Sequence, residues 1–214
     1  MQMRLGWSVI VCFAAMLCAT SGGAETTFRW ANDGDVSSLD PYTQNEMFQL
    51  SFLANIYEPL IRRDRYLKLE PALATSWEQI GGTLWRFHLR DGVHWHDGSR
   101  FSADDVVFSV KRVRNEHSRL RSMLASIKAV HKIDDSTVDF ETYQIDPIFA
   151  QEITVWVIMN KNWAERHHST TPVDLASGQE NYAVRNAMGT GPFKLTCRET
   201  RSTHRARAEP ALVG

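Results

Sequence analysis

The sequence predicts an α+β protein (mixed α/β) in which strands pair as antiparallel hairpins and short helices lie between them. Apolar Trp85, Phe87 and Leu89 alternate with charged or histidine residues, the pattern of a strand with one buried face. Gly81-Gly82 and the segment 134–136 are turn signals between strand-like runs, which favours hairpins over crossovers. Apolar residues recur at helical spacing elsewhere in the chain, so helices are expected as well.

Residues 1–24 are predicted to be a signal peptide. Arg4 precedes the apolar run Trp7–Ala19, and small residues lead to a cleavage point after Ala24. The run is shorter than the roughly 20 residues that a membrane-spanning helix needs. The sequence therefore predicts export to the periplasm.

Charge and cysteine usage restrict the class of protein further. The 214 residues carry a formal net charge of −1, which gives no electrostatic reason to expect nucleic-acid binding. Cys12 and Cys18 lie in the predicted leader, so Cys197 is the single cysteine of the mature chain and no internal disulfide is expected. Cys18 could anchor a lipid, but the large Leu17 before it argues against this alternative.

The first half of the mature chain divides into strands, a helix and a hairpin. Pro59 ends the helix because it cannot continue the helical hydrogen bonding. The predicted elements are a strand Phe28–Asn32, a loop Asp33–Pro41, a helix Glu46–Tyr57 with an apolar stripe of Met47, Leu50, Leu53, Ala54 and Tyr57, a short strand at Leu60-Ile61, and a hairpin of Ala72–Ile80 with Thr83–Arg90.

The stretch Trp85–Val110 continues that hairpin into a capped helix. Asp91-Gly92 and Asp97-Gly98 predict turns on either side of a second short strand. Ser102 is expected to cap the helix, with Asp105 as the capping-box acid. The predicted inner stripe consists of Val106, Val107, Val110 and Val113.

In the second half of the chain, strand patterns again alternate with helix patterns. The predicted elements are a hairpin of Ile127–Ile133 with Thr137–Thr142, a helix Asp146–Glu152, a buried strand Val155–Met159, a helix Asn162–His167, a helical region after Thr171-Pro172, and a turn at Gly189–Gly191 that enters a strand ending at Leu195.

Residues 196–214 are predicted to lack regular structure. Four arginines fall between Cys197 and Arg207, and few residues there could be buried. A strand that begins and then loses its pattern suggests a shifted reading frame after Leu195.

Five short segments follow one another along the chain: Ser38–Pro41, Tyr57–Ile61, Leu69–Trp77, Trp85–Val110 and Gly189–Phe193. Their order and spacing resemble those of periplasmic solute-binding proteins of peptide- and nickel-type ABC importers. The chain resembles this family from Phe28 to Leu195. The resemblance implies a two-lobed fold that closes over its ligand, of which residues 25–195 would supply most of the first lobe and lack the second.

The resemblance also implies a function. The parent protein would be the non-enzymatic substrate-binding component of an ABC importer. It would need no cofactor, act as a monomer, capture peptides or similar small solutes, and deliver them to a permease in the inner membrane. We expect weak or no binding by this truncated polypeptide alone, because solvent competes for every polar contact in half a site.

Two groups of residues are candidates for function. Asn45, Glu46 and Met47 are predicted to contact ligand, since they lie just before a helix in the loop where the family's first lobe approaches its solute. The alternative is that Asn45 caps the helix and Met47 packs in the core. Gly189, Thr190 and Gly191 are predicted to form the hinge between lobes, although a simple turn explains them too, and Asp40-Pro41 is expected to be structural.

His94 and His96 leave a metal site open as an alternative. Residues i and i+2 of a strand share a face, so the two imidazoles could hold one zinc ion with Asp97 or His88 as a third ligand. A secreted metal-dependent hydrolase would follow, and a non-catalytic envelope interaction module is a third possibility. Because the chain has no HExxH, CxxC or GxSxG motif, neither a metal site nor a catalytic residue is predicted.

Overall fold

The computed structural model describes residues 35–199 and 203–208. The predicted signal peptide and the predicted strand Phe28–Asn32 lie outside this range. Within it, no helix combines the length and the apolar character needed to cross a membrane.

Eight strands and five α-helices are found among the described residues. The strands are β1 (Ile61–Arg63), β2 (Leu69–Pro71), β3 (Ala74–Gly81), β4 (Leu84–Leu89), β5 (Ile127–Asp134), β6 (Thr137–Thr142), β7 (Phe193–Glu199) and β8 (Thr203–Ala208). The helices are α1 (Met47–Leu53), α2 (Ala103–Val113), α3 (Phe149–Glu152), α4 (Lys161–Arg166) and α5 (Tyr182–Arg185). Short 3-10 turns lie at Arg121–Leu124, Ile153–Val155 and Leu175–Ser177.

A four-stranded antiparallel sheet is the centre of the fold, with strand order β3-β4-β6-β5. The two predicted hairpins, β3-β4 and β5-β6, are confirmed. They join through β4 and β6, where Trp85 lies opposite Phe140 and Phe87 opposite Val138. The α+β fold class is therefore confirmed.

One face of this sheet carries an aromatic core. The Phe87 and Phe140 rings lie 5.2 Å apart, Phe149 is 5.5 Å from Phe140, and Trp156 is 6.3 Å from Phe140. All four side chains are buried. Offset and edge-on rings at such distances add to the stability that burial of their area already provides.

The capped helix α2 agrees with its prediction. A capping box forms between Ser102 and Asp105, in which the Ser102 amide donates to Asp105 Oδ2 at 3.0 Å. Val106, Val110 and Val113 of the predicted stripe are buried. Val107 is only half-buried.

The predicted helix Glu46–Tyr57 is shorter, and its buried face differs from the one predicted. It ends at Leu53, and Met47 is 80% exposed instead of buried. Gln49 is buried in its place, since its amide nitrogen donates to the Asp40 carbonyl (3.5 Å) and its amide oxygen accepts from Ser37 Oγ (3.3 Å). These hydrogen bonds offset the cost of removing the Gln49 amide from water. The spacing of apolar residues alone does not predict that a glutamine is buried.

The predicted strand Val155–Met159 is wrong. Residues 153–155 form a 3-10 turn, and one isolated bridge joins Val157 to Pro59. Side chains replace the strand ladder: Tyr42 Oη donates to the Val157 carbonyl at 2.7 Å, and Ser109 Oγ accepts from the Met159 amide at 2.9 Å. Buried backbone groups need partners, but these need not be another strand.

Two further differences concern strands. The second short strand of the Trp85–Val110 stretch is only an isolated bridge between His94 and Arg100. Beyond Leu195, where no regular structure was predicted, β7 continues to Glu199 and pairs with β8. Backbone pairing satisfies its own hydrogen bonds, so it does not require the side-chain alternation that guided the prediction.

Candidate functional site

The loop before α1 is fixed by hydrogen bonds and one buried ion pair. Ser38 Oγ accepts from the Asp40 amide, and Asp40 Oδ1 accepts from the Tyr42 amide, each at 3.1 Å. The Arg112 guanidinium meets the Asp40 carboxylate with two bonds of 2.8 and 2.5 Å and also donates to the Ser169 carbonyl at 3.0 Å. Asp40 thus has the structural role predicted for it.

Neither member of this ion pair is exposed, since both side chains have a relative accessibility of 0%. Burial alone would lower the pKa of Arg112, but the Asp40 carboxylate outweighs it and raises that pKa. Arg112 was not among the residues predicted to be functional or structural. Its position three residues after the buried Ser109 places it on the inner face of α2, which is the signal that could have found it.

The fixed loop presents three exposed residues in a row. Asn45, Glu46 and Met47 all lie on the surface at the start of α1. The cap position belongs to Glu46 and not to Asn45, and within the described residues the Glu46 side chain makes no capping bond. The alternative roles, a cap at Asn45 and a core position for Met47, are therefore wrong, and an amide, a carboxylate and a thioether remain accessible side by side.

The segment 189–191 is held against the end of α1 and the loop at His96. The Gly191 amide donates to the Ile56 carbonyl at 2.8 Å, and the Gly189 carbonyl accepts from the His96 amide at 3.0 Å. The Lys194 ammonium donates to the His96 carbonyl at 2.6 Å. The segment is thus tied on two sides by residues distant in sequence.

Glycine is required here because the backbones approach too closely for a side chain. A Cβ atom at Gly189 would overlap the Ile56 carbonyl oxygen, and one at Gly191 would lie 2.7 Å from the same atom. The Thr190 hydroxyl oxygen between them is buried and has no hydrogen-bond partner among the described residues. Close approach, and not only turn geometry, explains these glycines.

The two predicted groups lie at opposite ends of α1. Met47 begins the helix, whereas Ile56, which contacts the segment 189–191, follows its end. A seven-residue helix is about 10 Å long. Asn45–Met47 is therefore exposed at one end of α1, whereas the segment 189–191 is held by hydrogen bonds at the other end. We call this hydrogen-bonded segment the clamp.

His94 and His96 differ in burial and in their contacts. His96 is 8% exposed, and its Nε2 lies 2.8 Å from the Gly191 carbonyl oxygen, which can only accept, so Nε2 carries the hydrogen. His94 is half-buried at the neighbouring bridge. Among residues 35–199 and 203–208, no three His, Cys, Asp or Glu side chains gather as metal ligands.

Asp97, a proposed third ligand, has other partners. Its carboxylate accepts from the Ser99 amide at 3.0 Å and from Arg166 at 2.9 Å. Partial burial would raise the pKa of Asp97, but these bonds and the Ser99 hydroxyl lower it overall. His88, the other proposed ligand, is on β4 beside Glu78, 3.7 Å from its carboxylate.

The comparisons with known proteins assign the chain to a family. The chain belongs to a family of bacterial extracellular solute-binding proteins: residues 68–211 match the family model described as bacterial extracellular solute-binding proteins, family 5 Middle. Members of this family bind solutes and are not enzymes. The predicted family is therefore confirmed.

Two curated relatives are similar to most of the chain. The dipeptide-binding protein of Escherichia coli K12 is 27% identical, covering 91% of this chain and 38% of the relative. The peptide transport periplasmic protein SapA of Salmonella typhimurium is 26% identical, covering 91% of this chain and 41% of the relative. The chain thus spans about two fifths of the length of these relatives.

Solved structures agree with the fold. NikZ from Campylobacter jejuni, in complex with Ni(L-His), superposes with a TM-score of 0.70 at 25% identity, covering 82% of this chain and 34% of NikZ. DppA from Helicobacter pylori, in complex with the peptide STSA, gives 0.69 at 25% identity, covering 84% and 38%. The described fold is therefore similar to part of the periplasmic binding-protein fold.

Proposed function

We propose that this chain acts in the substrate-binding component of an ABC importer, which captures peptides or similar small solutes in the periplasm. The observation that carries the proposal is the match of more than four fifths of the chain to binding proteins solved with their solutes. A permease in the inner membrane would receive the solute. The protein would act as a monomer, without a catalytic step.

Asn45, Glu46 and Met47 are the residues proposed to contact the solute. All three are exposed, and the hydrogen-bonded loop before them holds their backbone in place. The Glu46 carboxylate suits a peptide ammonium group, the Asn45 amide suits a peptide bond, and the flexible Met47 thioether adapts to different apolar side chains. Together they fit an extended peptide of variable sequence.

Gly189, Thr190 and Gly191 are proposed as the fixed side of a hinge. Their bonds to Ile56 and His96 anchor them to the described fold. Bending during closure would then begin after this clamp, since bending within it would break several buried hydrogen bonds.

An NMR titration of the ¹⁵N-labelled chain with a mixture of dipeptides and tripeptides tests the proposed contacts. We expect shifts at the amides of residues 45–48 and a dissociation constant of about 1 mM or weaker, because these side chains are open to solvent. The double variant Glu46→Gln/Met47→Ala should lose the shifts.

The double variant Leu67→Ala/Glu116→Gln is the matched control, since it makes similar changes at exposed positions outside α1 and the loop before it. It should titrate like the unmodified chain. Shifts that avoid residues 45–48, or that survive in the Glu46→Gln/Met47→Ala variant, would contradict the proposed contacts. Micromolar binding would contradict the expected weakness.

A further inference from the structure

We propose that a groove beyond the C-terminal end of α2 binds small organic anions that carry a carboxylate or phosphate group. This arginine groove is lined by Arg114, Ser118, Arg119, Arg121, Leu124 and Tyr143, among others, and has a volume of about 570 Å³. Pockets for small ligands usually measure about 300–1,000 Å³. Its lining does not include Asn45, Glu46 or Met47, so the inference goes beyond the proposed solute capture.

The lining of the groove is strongly cationic. Its charged side chains are Arg114, Arg119 and Arg121, and no acid lines it among the described residues. Arg119 donates to Asp174 at 3.3 Å. Arg114 donates only to the Lys128 carbonyl, at 3.1 Å, and Arg121 has no side-chain partner within the described part of the chain. Two guanidinium groups therefore have no carboxylate partner among residues 35–199 and 203–208, in a chain whose net charge is −1.

The backbone that carries these arginines is fixed by the core. Leu120 and Leu124 are each 1% exposed, so they anchor the segment from inside while Arg119 and Arg121 point outward. The Arg119 amide donates to the Tyr42 carbonyl at 2.8 Å, which ties the same segment to the loop before α1. A preformed groove reduces the entropy lost when a ligand binds.

The remaining lining residues suit an organic ligand and not a bare inorganic ion. Ser118 is 7% exposed, and its hydroxyl oxygen accepts from the Leu120 amide at 3.2 Å, which leaves its own hydrogen to donate. Tyr143, which also lines the groove, is 62% exposed, and its ring offers an apolar face. Guanidinium forks match carboxylate and phosphate oxygens, so the groove fits an anionic head on a carbon frame.

Isothermal titration calorimetry of the full chain with citrate and with phenyl phosphate at low salt tests the proposal. We expect both to bind, and binding to weaken at least about ten-fold in Arg114→Gln/Arg121→Gln, which removes the two guanidiniums that have no carboxylate partner in the described part of the chain. The control Arg65→Gln/Arg100→Gln removes two exposed arginines elsewhere and should bind within about two-fold of the unmodified chain. Raising the salt concentration should weaken binding to the unmodified chain.

Several results would overturn the proposal. They are an absence of binding heat with both compounds, equal weakening in the two glutamine variants, and binding only to phosphatidylglycerol vesicles and to neither soluble compound. Should the glutamine variant not fold, Arg114→Lys/Arg121→Lys keeps the charge but loses the fork, and unchanged binding in it would also count against the site. The peptide titration measures shifts at residues 45–48, which do not line the arginine groove. The proposed solute contacts and the proposed anion site can therefore fail separately.

Discussion

Single residues in this protein have consequences well beyond their own position. The pair of Asp40 and Arg112 joins the loop before α1 to α2, and the same guanidinium holds the carbonyl of Ser169. Both charges are fully buried, so each depends on the other to compensate for the lost hydration. The pair therefore positions the loop that presents Asn45–Met47.

Replacing Arg112 with methionine should destabilise the fold by about 3–5 kcal/mol, because the Asp40 carboxylate remains buried without its partner. The free energy of unfolding in urea, followed by circular dichroism, measures this. Lys111→Met, on the exposed face of the same helix, should change stability by no more than about 0.5 kcal/mol. Equal effects of the two substitutions would contradict the role assigned to the ion pair.

Replacing Gly189 with alanine should destabilise the fold by about 2 kcal/mol or more, since the new Cβ overlaps the Ile56 carbonyl oxygen and must displace backbone. Gly82→Ala is the control, because a Cβ there would lie 3.5 Å from the Ile145 side chain, an ordinary contact. Thermal unfolding of the two variants compares them. If Gly189→Ala melts like Gly82→Ala, the clamp is not as tight as described.

At the scale of elements, the first turn of α2 connects three parts of the fold. Asp105 accepts from the Ser102 amide at 3.0 Å, from the Trp95 indole at 3.3 Å and from the Lys161 amide at 2.8 Å. Burial raises the pKa of Asp105, and these donors partly oppose that effect. Asp105 therefore caps α2, as the sequence predicts, and also fixes the start of α4 and the indole of Trp95.

Asp105→Ala should therefore cost about 2–4 kcal/mol, more than a helix cap alone, because three donors lose their acceptor. Asp104→Ala is a close control: the neighbouring acid is exposed and pairs with Lys132, so its loss should cost less than about 1 kcal/mol. Urea unfolding of both variants gives the comparison. If Asp105→Ala lowers the free energy of unfolding no more than Asp104→Ala does, the bonds from Trp95 and Lys161 to Asp105 add no stability.

At the scale of the whole molecule, two hairpins form one sheet and an aromatic core covers it. The chain matches solute-binding proteins over most of its own length but over about two fifths of theirs. The location proposed for the protein is the periplasm. The location can be examined without any knowledge of the solute.

Expressed with its own N-terminus in a Gram-negative host, the protein should be recovered from the periplasm with residues 1–24 removed. Mass spectrometry of the intact protein should show a chain that begins at Glu25, because small residues precede the predicted cleavage point. Ala24→Leu should block this cleavage, whereas Gly23→Ser should not. Recovery of the protein in the cytoplasm with Met1 or Gln2 at its N-terminus would contradict the prediction.

Local patterns predicted local structure well. The alternation at Trp85–Leu89, the turns at both hairpins and the capping box at Ser102 depend on neighbours within a few residues, so the sequence displays them directly. The sequence left two environments open for Met47, an exposed ligand contact and a position in the core. Its spacing fits the apolar stripe of a helix, and only the burial of Gln49 against Asp40 shows that the helix turns another face inward.

The sequence by itself determined the hairpins, the capped helix and the resemblance to solute-binding proteins. The tertiary structure alone decided that β4 pairs with β6, that Arg112 neutralises Asp40, and that His96 binds Gly191, 95 residues away. The physical reason is the distance along the chain between the residues that interact. A turn or a cap is stabilised by residues close in the chain, whereas a buried charge or a glycine contact depends on which distant segment packs against it.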